Sequence, residues 1–214
     1  MTFKAALAGL PLGGGKSVLI ARPEEKTPAL MRAMGRAVER LGGAYIVAED
    51  VGITVADVDA MAEETRHVSG VSSGVGDPSP WTAEGVFLCL ASAAERAHAE
   101  PADVYAPCAL GAEVSARTIP ELGAPVVCGA ANNQLATAED GARLAARGVV
   151  YCPDYLVNAG GLIRVAMSAI GLSEAEARAK LAALPETLAG ILDEAAARGL
   201  SPAAVADERA DPRR

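Results

Sequence analysis

The sequence predicts an α/β fold with parallel strands, and three observations carry that expectation. Short β-rich runs alternate along the chain with longer segments in which apolar residues recur at helical spacing, the pattern of strands joined by crossover helices. The 214 residues are 51% hydrophobic but only 3% aromatic, so a sizeable core can form and must be built from Leu, Val, Ile and Ala. Clusters of Gly, Ser and Pro punctuate the alternation and mark the loops.

The first β-rich run is Lys16–Ala21, directly after three glycines. Pro28–Leu41 places Leu30, Met31, Met34, Val38 and Leu41 on one helical face; Thr27 offers the N-cap, Pro28 the first helical position and Gly42-Gly43 the stop. Tyr45–Ala48 reads as a second strand, and Thr54–Glu64 as a short helix with Val55, Val58 and Met61 on one side. Ser69–Pro80 is a loop without packing groups, a composition that often carries a binding site or a hinge. Thr82 then opens a helix running to about His98. Val104-Tyr105, Pro125–Cys128 and Val149–Tyr151 are strand-like, with helices expected near Val114–Leu122 and Ala138–Arg147. From Asn158 the chain reads as helical to its end. Ser173 and Glu176 form a capping box, and Leu181, Leu184, Leu188, Ile191 and Leu192 make a buried stripe. Pro185 kinks or divides that stretch, Gly199 stops it, and Ser201-Pro202 starts another helix. Residues from Asp207 onward are charged and expected to fray.

Charge and cysteine usage narrow the function classes. Lys and Arg number 19 against 27 Asp and Glu, a formal net charge of −8. Nucleic-acid partners call for basic patches, so none is expected. No stretch reaches the roughly 18 apolar residues of a membrane span, and the first residues lack the long apolar run of a secretory signal. No membrane partner is expected, and the chain is placed in the cytoplasm. Cys89, Cys108, Cys128 and Cys152 form no Cys-x-x-Cys pair and read as free, buried thiols. His67 and His98 are isolated in polar surroundings, and no metal site is expected.

The lysines point to chemistry. Arginines outnumber lysines 15 to four, so Lys4, Lys16, Lys26 and Lys180 stand out. Arg stays protonated, whereas a Lys that is buried or beside another cation can give up its proton, which suits proton transfer near neutral pH. Lys4 and Lys16 bracket an apolar stretch that ends in Gly13-Gly14-Gly15. Two ammonium groups held close would attract a carboxylate and lower each other's pKa, and successive glycines let the backbone approach a ligand. Both lysines snorkelling to solvent beside a flexible loop is the plain alternative. A phosphate loop fits poorly. Gly15-Lys16-Ser17 matches its end, but Leu10 holds its first glycine's place and the β-rich run follows the loop instead of preceding it.

Six motifs occur in order. Thr2-x-Lys4 with Gly13-Gly14-Gly15-Lys16 is followed by Ala48-Glu49-Asp50-Val51-Gly52 and by Pro78-Ser79-Pro80-x-Thr82-Ala83-x-Gly85. Tyr105–Gly111, Gly129–Leu135 (sequence GAANNQL) and Asn158-Ala159-Gly160-Gly161 complete the set. Over nearly the whole chain these resemble the Glu/Leu/Phe/Val amino-acid dehydrogenase family, nearest its leucine, valine and phenylalanine branch. The resemblance implies NAD-dependent, reversible oxidative deamination of an apolar L-amino acid to its 2-oxo acid and ammonia. By the same resemblance Lys4 would hold the substrate carboxylate, Lys16 would activate water, and Asp50 would shuttle protons. Thr82, Asn133 and Asn158 would contact the nicotinamide side, Asn133 also the substrate. Ala48, Leu162 and Val165 would line the side-chain pocket; their apolar character disfavours glutamate, whose carboxylate would be left unpaired. Ordinary core packing is the plain alternative for those three. The implied organisation is a substrate domain over residues 1–80, a truncated Rossmann-like NAD domain over 81–157, and C-terminal helices over 158–214 that return to the substrate domain. Family members form homo-oligomers.

The sequence also departs from the pattern. The paired lysines of the family follow an N-terminal region, whereas here the chain starts two residues before Phe3. A Gly-x-Gly-x-x-Gly turn and a ribose-binding acid are expected after the helix that ends near His98, but the chain passes from Glu100 to Pro101-Ala102-Asp103-Val104, and no such turn occurs anywhere. Val165-Ala166-Met167-Ser168 stands where acidic residues are usual. Weak or no NAD binding is therefore expected, and the alternative function is a non-catalytic remnant or interaction subunit that keeps the amino-acid pocket. An interruption of the parent reading frame would leave the same pattern.

Overall fold

Two small parallel sheets, each covered by helices, organise the chain. The structure is a computed structural model and describes residues 1–97 and 103–211. The expectations that involve His98, the Glu100–Pro101 junction and the terminal Arg213-Arg214 lie outside the described residues.

In the N-terminal part, α1 (Thr2–Leu7) is followed by a long irregular segment. Then α2 (Pro28–Glu39) and α3 (Val55–Ala62) pack on each other beside a two-stranded sheet, in which β1 (Val47–Ala48) pairs parallel with β2 (Val68–Ser69). Thr27 caps α2 by accepting the Leu30 N–H at 3.2 Å, as its position predicts. Thr54 and Asp57 close a capping box on α3. Met31, Val38, Val47, Ala60 and Met61 form the core of this part.

The second sheet runs in the order β3 (Val104–Tyr105), β4 (Val126–Val127), β5 (Val150–Tyr151), all parallel, with Val126 opposite both Val104 and Val150. Successive residues face opposite sides. Val126, Cys128 and Cys152 enter the main core with α4 (Ser79–Arg96) and the C-terminal helices. Val127 and Tyr151 join Val114, Ile119 and Leu144 in a smaller core beneath α5 (Ala138–Ala146). Burial of both faces explains why the central strand β4 is a Val-Val run rather than an alternating sequence. The helices α6 (Asp154–Val157), α7 (Gly160–Ile170), α8 (Glu174–Ala182), α9 (Leu184–Arg198) and α10 (Pro202–Ala210) complete the chain. The predicted Leu181–Leu192 stripe is buried, Pro185 sits in the first turn of α9 and separates it from α8, and Gly199 ends α9 with a φ of +64°.

Five local expectations are corrected. Lys16–Ala21 is irregular, with Val18 77% and Ile20 100% exposed, because none of the described strands offers it a ladder partner. Val114–Leu122 forms only a single 3-10 turn at Ile119–Glu121. Val114 bridges to Leu135, while Ser115 and Thr118 hydrogen-bond to each other and to nearby backbone, which competes with a helix. The helix expected to open at Thr82 opens at Ser79, since Pro80 fits a first turn. Asp207 lies within α10, where it accepts the Tyr155 hydroxyl at 2.6 Å, so the chain does not fray there. Cys108 is exposed, unlike the other three thiols.

Candidate active site

A cavity of about 1170 Å³ opens where both parallel sheets end at their carboxyl edges, the usual place for a ligand in such folds. The residues after β1 (Glu49, Asp50), after β3 (Cys108), after β4 (Ala130, Asn132) and after β5 (Asn158) all line it. Lys4, Lys16, Ala48, Thr82, Leu162 and Val165 line it as well. Of the nine residues to which the resemblance gave a site role, Asn133 alone is outside the lining.

The two lysines reach the cavity by different routes. Lys4 stands on α1 and donates to Asn132 Oδ1 at 3.3 Å. Lys16 follows the glycine run and forms an ion pair with Asp50. None of Gly13, Gly14 or Gly15 has a positive φ, so the run does not serve a turn. A Cβ on Gly14 would overlap Thr2, and one on Gly15 would stand 2.8 Å from the Tyr45 ring. The glycines therefore let this segment lie against α1 and Tyr45, whose hydroxyl meets Ser17 Oγ at 2.9 Å. Lys26 ties down the end of the segment by donating to Asp57 at 2.6 Å and to the Gly52 carbonyl at 3.0 Å.

On the opposite wall, Asn158 is 3% exposed and donates through Nδ2 to the Ala130 carbonyl at 3.0 Å and to Asn132 Oδ1 at 2.9 Å. Its own Oδ1 is buried without a partner. Asn132 thus joins Lys4 to Asn158. Asn133 instead adopts a φ of +54° and its carbonyl accepts the Ala112 N–H at 2.7 Å, which makes it the turn residue of the pair. Asn tolerates that conformation better than most residues. Gly160 and Gly161 bring the start of α7 onto α4: a Cβ on Gly160 would collide with the Trp81 carbonyl, and one on Gly161 would stand 2.5 Å from Thr82 Oγ1. This contact holds Thr82 against the start of α7, and both Thr82 and Asn158 line the cavity.

The electrostatics divide the site. Burial pushes the Lys4 ammonium down to about 8, and Lys16 adds to the effect while Asp154 and Asp50 oppose it. Asp50 is penalised by burial, but its hydrogen bond with Lys16, the Val51 N–H and both lysine charges hold it below the usual carboxylate range. Burial and the nearby Asp77 raise Glu49, whose Oε2 is buried and unpartnered. Asp154, 6% exposed, is raised by burial although the backbone N–H of Gln134 donates to it at 2.8 Å.

Sequence reasoning missed Asn132, Glu49, Asp154 and Cys108. Asp154 had a signal, a lone acid inside the apolar run Tyr151–Val157. Cys108 had none beyond its place in the Pro107-Cys108 loop; its Sγ accepts the Ala130 N–H at 3.4 Å. Among the described residues no group of three or more His, Cys, Asp or Glu could hold a metal ion, and no helix is long and apolar enough to cross a membrane.

This geometry has counterparts. The profile "Glu/Leu/Phe/Val dehydrogenase, dimerisation domain" matches residues 1–67, and "Glutamate/Leucine/Phenylalanine/Valine dehydrogenase" matches residues 36–204. The chain belongs to the Glu/Leu/Phe/Val dehydrogenase family. Leucine dehydrogenase of Bacillus cereus is 36% identical over 278 aligned positions, which cover 100% of this chain and 76% of that protein. Valine dehydrogenase of Streptomyces albus is 36% identical over 281 positions, covering 100% and 77%. Among solved structures, L-tryptophan dehydrogenase from Nostoc punctiforme superposes with a TM-score of 0.78 at 32% identity, covering 99% of this chain and 80% of that one. A hetero-hexameric glutamate dehydrogenase from Thermus thermophilus, at 18% identity and a TM-score of 0.79, shares the fold. The mixed α/β class with parallel strands is that of these Rossmann-containing dehydrogenases. The alignment with the Bacillus protein is 64 positions longer than the 214 residues of this family member, so at least that many positions of the relative have no counterpart here.

Proposed function

We propose that the chain carries the deamination chemistry of its family on apolar L-amino acids, interconverting them with the 2-oxo acid and ammonia. One observation carries the proposal: Lys4, the Lys16–Asp50 pair and Asn158 converge on one cavity whose inner wall holds Leu162, Val165 and Ala48. Lys4 binds the substrate carboxylate, a charge-assisted contact in a partly dehydrated setting. Lys16 and Asp50 share a proton path: Asp50 takes a proton from the substrate amino group, Lys16 positions and activates the water that adds to the imine carbon, and Asp50 returns its proton to the nitrogen as the C–N bond breaks and ammonia leaves. The apolar wall favours aliphatic or aromatic side chains and would leave a second carboxylate unpaired.

NAD, held here, would supply the hydride acceptor. Its nicotinamide end fits this chain: the unpartnered Asn158 Oδ1 is a buried acceptor that suits a carboxamide N–H, with Thr82 lining the same cavity. Its pyrophosphate end does not fit. No Gly-x-Gly-x-x-Gly occurs in the sequence, and among the described residues only a 3-10 turn stands between β3 and β4, so no helix N-terminus follows β3 to receive phosphate. This observation favours a second reading, a subunit that binds the amino acid or 2-oxo acid without turnover.

The proposed organisation is a substrate part over residues 1–80, a shortened nucleotide part over 81–157 and returning helices over 158–214. Ser69 of β2 donates to the Val165 carbonyl of α7 at 2.9 Å, which supports the return. Homo-oligomers through the N-terminal part and a cytoplasmic setting, suited to free thiols, complete the proposal. The test measures binding of L-leucine, L-valine, L-phenylalanine and L-tryptophan by calorimetry, alongside formation of reduced nicotinamide from NAD. Turnover supports the first reading, binding without turnover selects the second, and no binding of any of them overturns both.

A further inference from the structure

We propose that Asp154 is a positioning residue for Lys4, supplying its counter-charge from beneath the cavity and fixing the loop against which its ammonium rests. The inference rests on Lys4 as the carboxylate anchor. Two lysines and two buried or half-buried aspartates meet here, and Asp50 is already committed to Lys16. Helix α1, which bears Lys4, packs against α6, which begins at Asp154. The neighbouring side chains register the two helices: the Phe3 and Tyr155 rings meet edge to face with centroids 5.8 Å apart. Lys4 and Asp154 are thereby brought within electrostatic range of each other.

The same carboxylate organises the loop after β4. It accepts the Gln134 N–H at 2.8 Å. The fully buried Gln134 side chain then donates to the Gly129 and Ala131 carbonyls at 2.7 and 3.0 Å and closes the loop on itself. That loop presents Asn132 Oδ1 to Lys4 and to Asn158. Asp154 therefore acts on Lys4 twice, through its charge and through the loop.

The charged and titratable groups that face Lys4 are Asp154 from α6, Asp50 after β1, Lys16 from the glycine segment and the Met1 amino group. Those that face Asp154 are Lys4, Tyr151 of β5 and Tyr155, whose hydroxyl donates to Asp207 of α10. Lys4 is the nearby cation in that second set, so removing the Asp154 charge should fall mainly on Lys4.

Asp154→Asn tests this, because the amide oxygen can still accept the Gln134 N–H while the charge is gone. The four lysines of the full chain can be labelled by reductive ¹³C-methylation and titrated by NMR, with Lys4→Arg identifying the Lys4 signal. The Lys4 midpoint is expected to fall by about one pH unit in Asp154→Asn while the other three lysines stay put. An unmoved Lys4 midpoint overturns the proposal. If Asp154→Asn does not fold, the reciprocal experiment follows the Asp154 carboxyl carbon: Lys4→Met should raise its midpoint by a similar amount, and no change overturns the proposal. Adding a 2-oxo acid to the labelled wild type separates the two claims. A Lys4 signal that responds to Asp154→Asn but not to the 2-oxo acid upholds the pairing and removes the anchor role.

Discussion

Two of the four lysines have structural tasks, and the proposed function gives the other two chemical ones. Lys26 and Lys180 are structural: Lys26 joins Asp57 and the Gly52 carbonyl, and Lys180 donates to the Gly9 carbonyl at 2.5 Å just past the end of α1. Lys4 is displaced strongly from the ordinary lysine range, down to about 8 from 10.5. Between those values the unfolded chain holds more protons than the folded one, so the fold gains stability as pH rises through that window. Below it, the charged Lys4 is a standing cost to the fold. Lys4→Met should therefore stabilise the protein near neutral pH, on the order of 1–2 kcal/mol after discounting for partial exposure. It should also flatten the alkaline rise in stability and abolish 2-oxo acid binding. Urea unfolding on both sides of the window, with calorimetry, checks all three. A destabilised Lys4→Met would mean that the ammonium supports the fold rather than the ligand. Scarcity of lysine made this residue legible in the sequence. Asn132 was not, because two adjacent asparagines differ only in backbone conformation, which the one-dimensional chain does not display.

At the scale of elements, caps and stripes were legible because they depend on near neighbours. Thr27, Ser173 and Gly199 act where their spacing puts them, and the Leu181–Leu192 stripe is buried. Elements that depend on a distant partner were not. Lys16–Ala21 has strand-forming residues but no described strand beside it, and Val114–Leu122 has helical spacing but gives its backbone to Leu135 and to Ser115 and Thr118. The Gly160-Gly161 pair belongs to a third kind, in which a resemblance located the residues and the structure supplies the cause. Helix α7 begins so close to the Trp81 carbonyl of α4 that no side chain fits at Gly160. Trp81 is further clamped by Arg164 and Arg178, with guanidinium carbons 5.1 and 4.1 Å from its ring centroid. The backbone on neither side can yield cheaply. Gly160→Ala should destabilise by about 3 kcal/mol, at the upper end of overpacking costs, and displace Thr82 from the start of α7. Gly171→Ala, at an exposed helix end with φ of +73° and open space around it, should cost only about 1 kcal/mol. Equal midpoints for the two variants in thermal unfolding would refute a packing role for Gly160.

For the whole molecule, the two halves of the site have unequal support. The proposed carboxylate end draws on α1, α6 and the loops after β1 and β4, all anchored in cores with aliphatic packing. The proposed dinucleotide end rests on a sheet in which β3, among the described residues, is an edge. A ligand that binds only the folded state raises its stability by RT ln(1 + [L]/Kd), about 2.7 kcal/mol at a hundredfold excess over Kd. For a chain of this size that corresponds to a rise in Tm of roughly 5–10 °C. The 2-oxo acid of the preferred amino acid should produce such a rise, and Lys4→Met should remove it. NAD alone should move Tm by less than about 1 °C, because binding energy for the pyrophosphate comes largely from a helix N-terminus and a glycine turn. Adding both ligands should then reproduce the 2-oxo acid shift alone. A shift with NAD as large as that with the 2-oxo acid would require a phosphate site elsewhere on the sheet, and would make the chain a complete dehydrogenase built on a shorter nucleotide part than its relatives use.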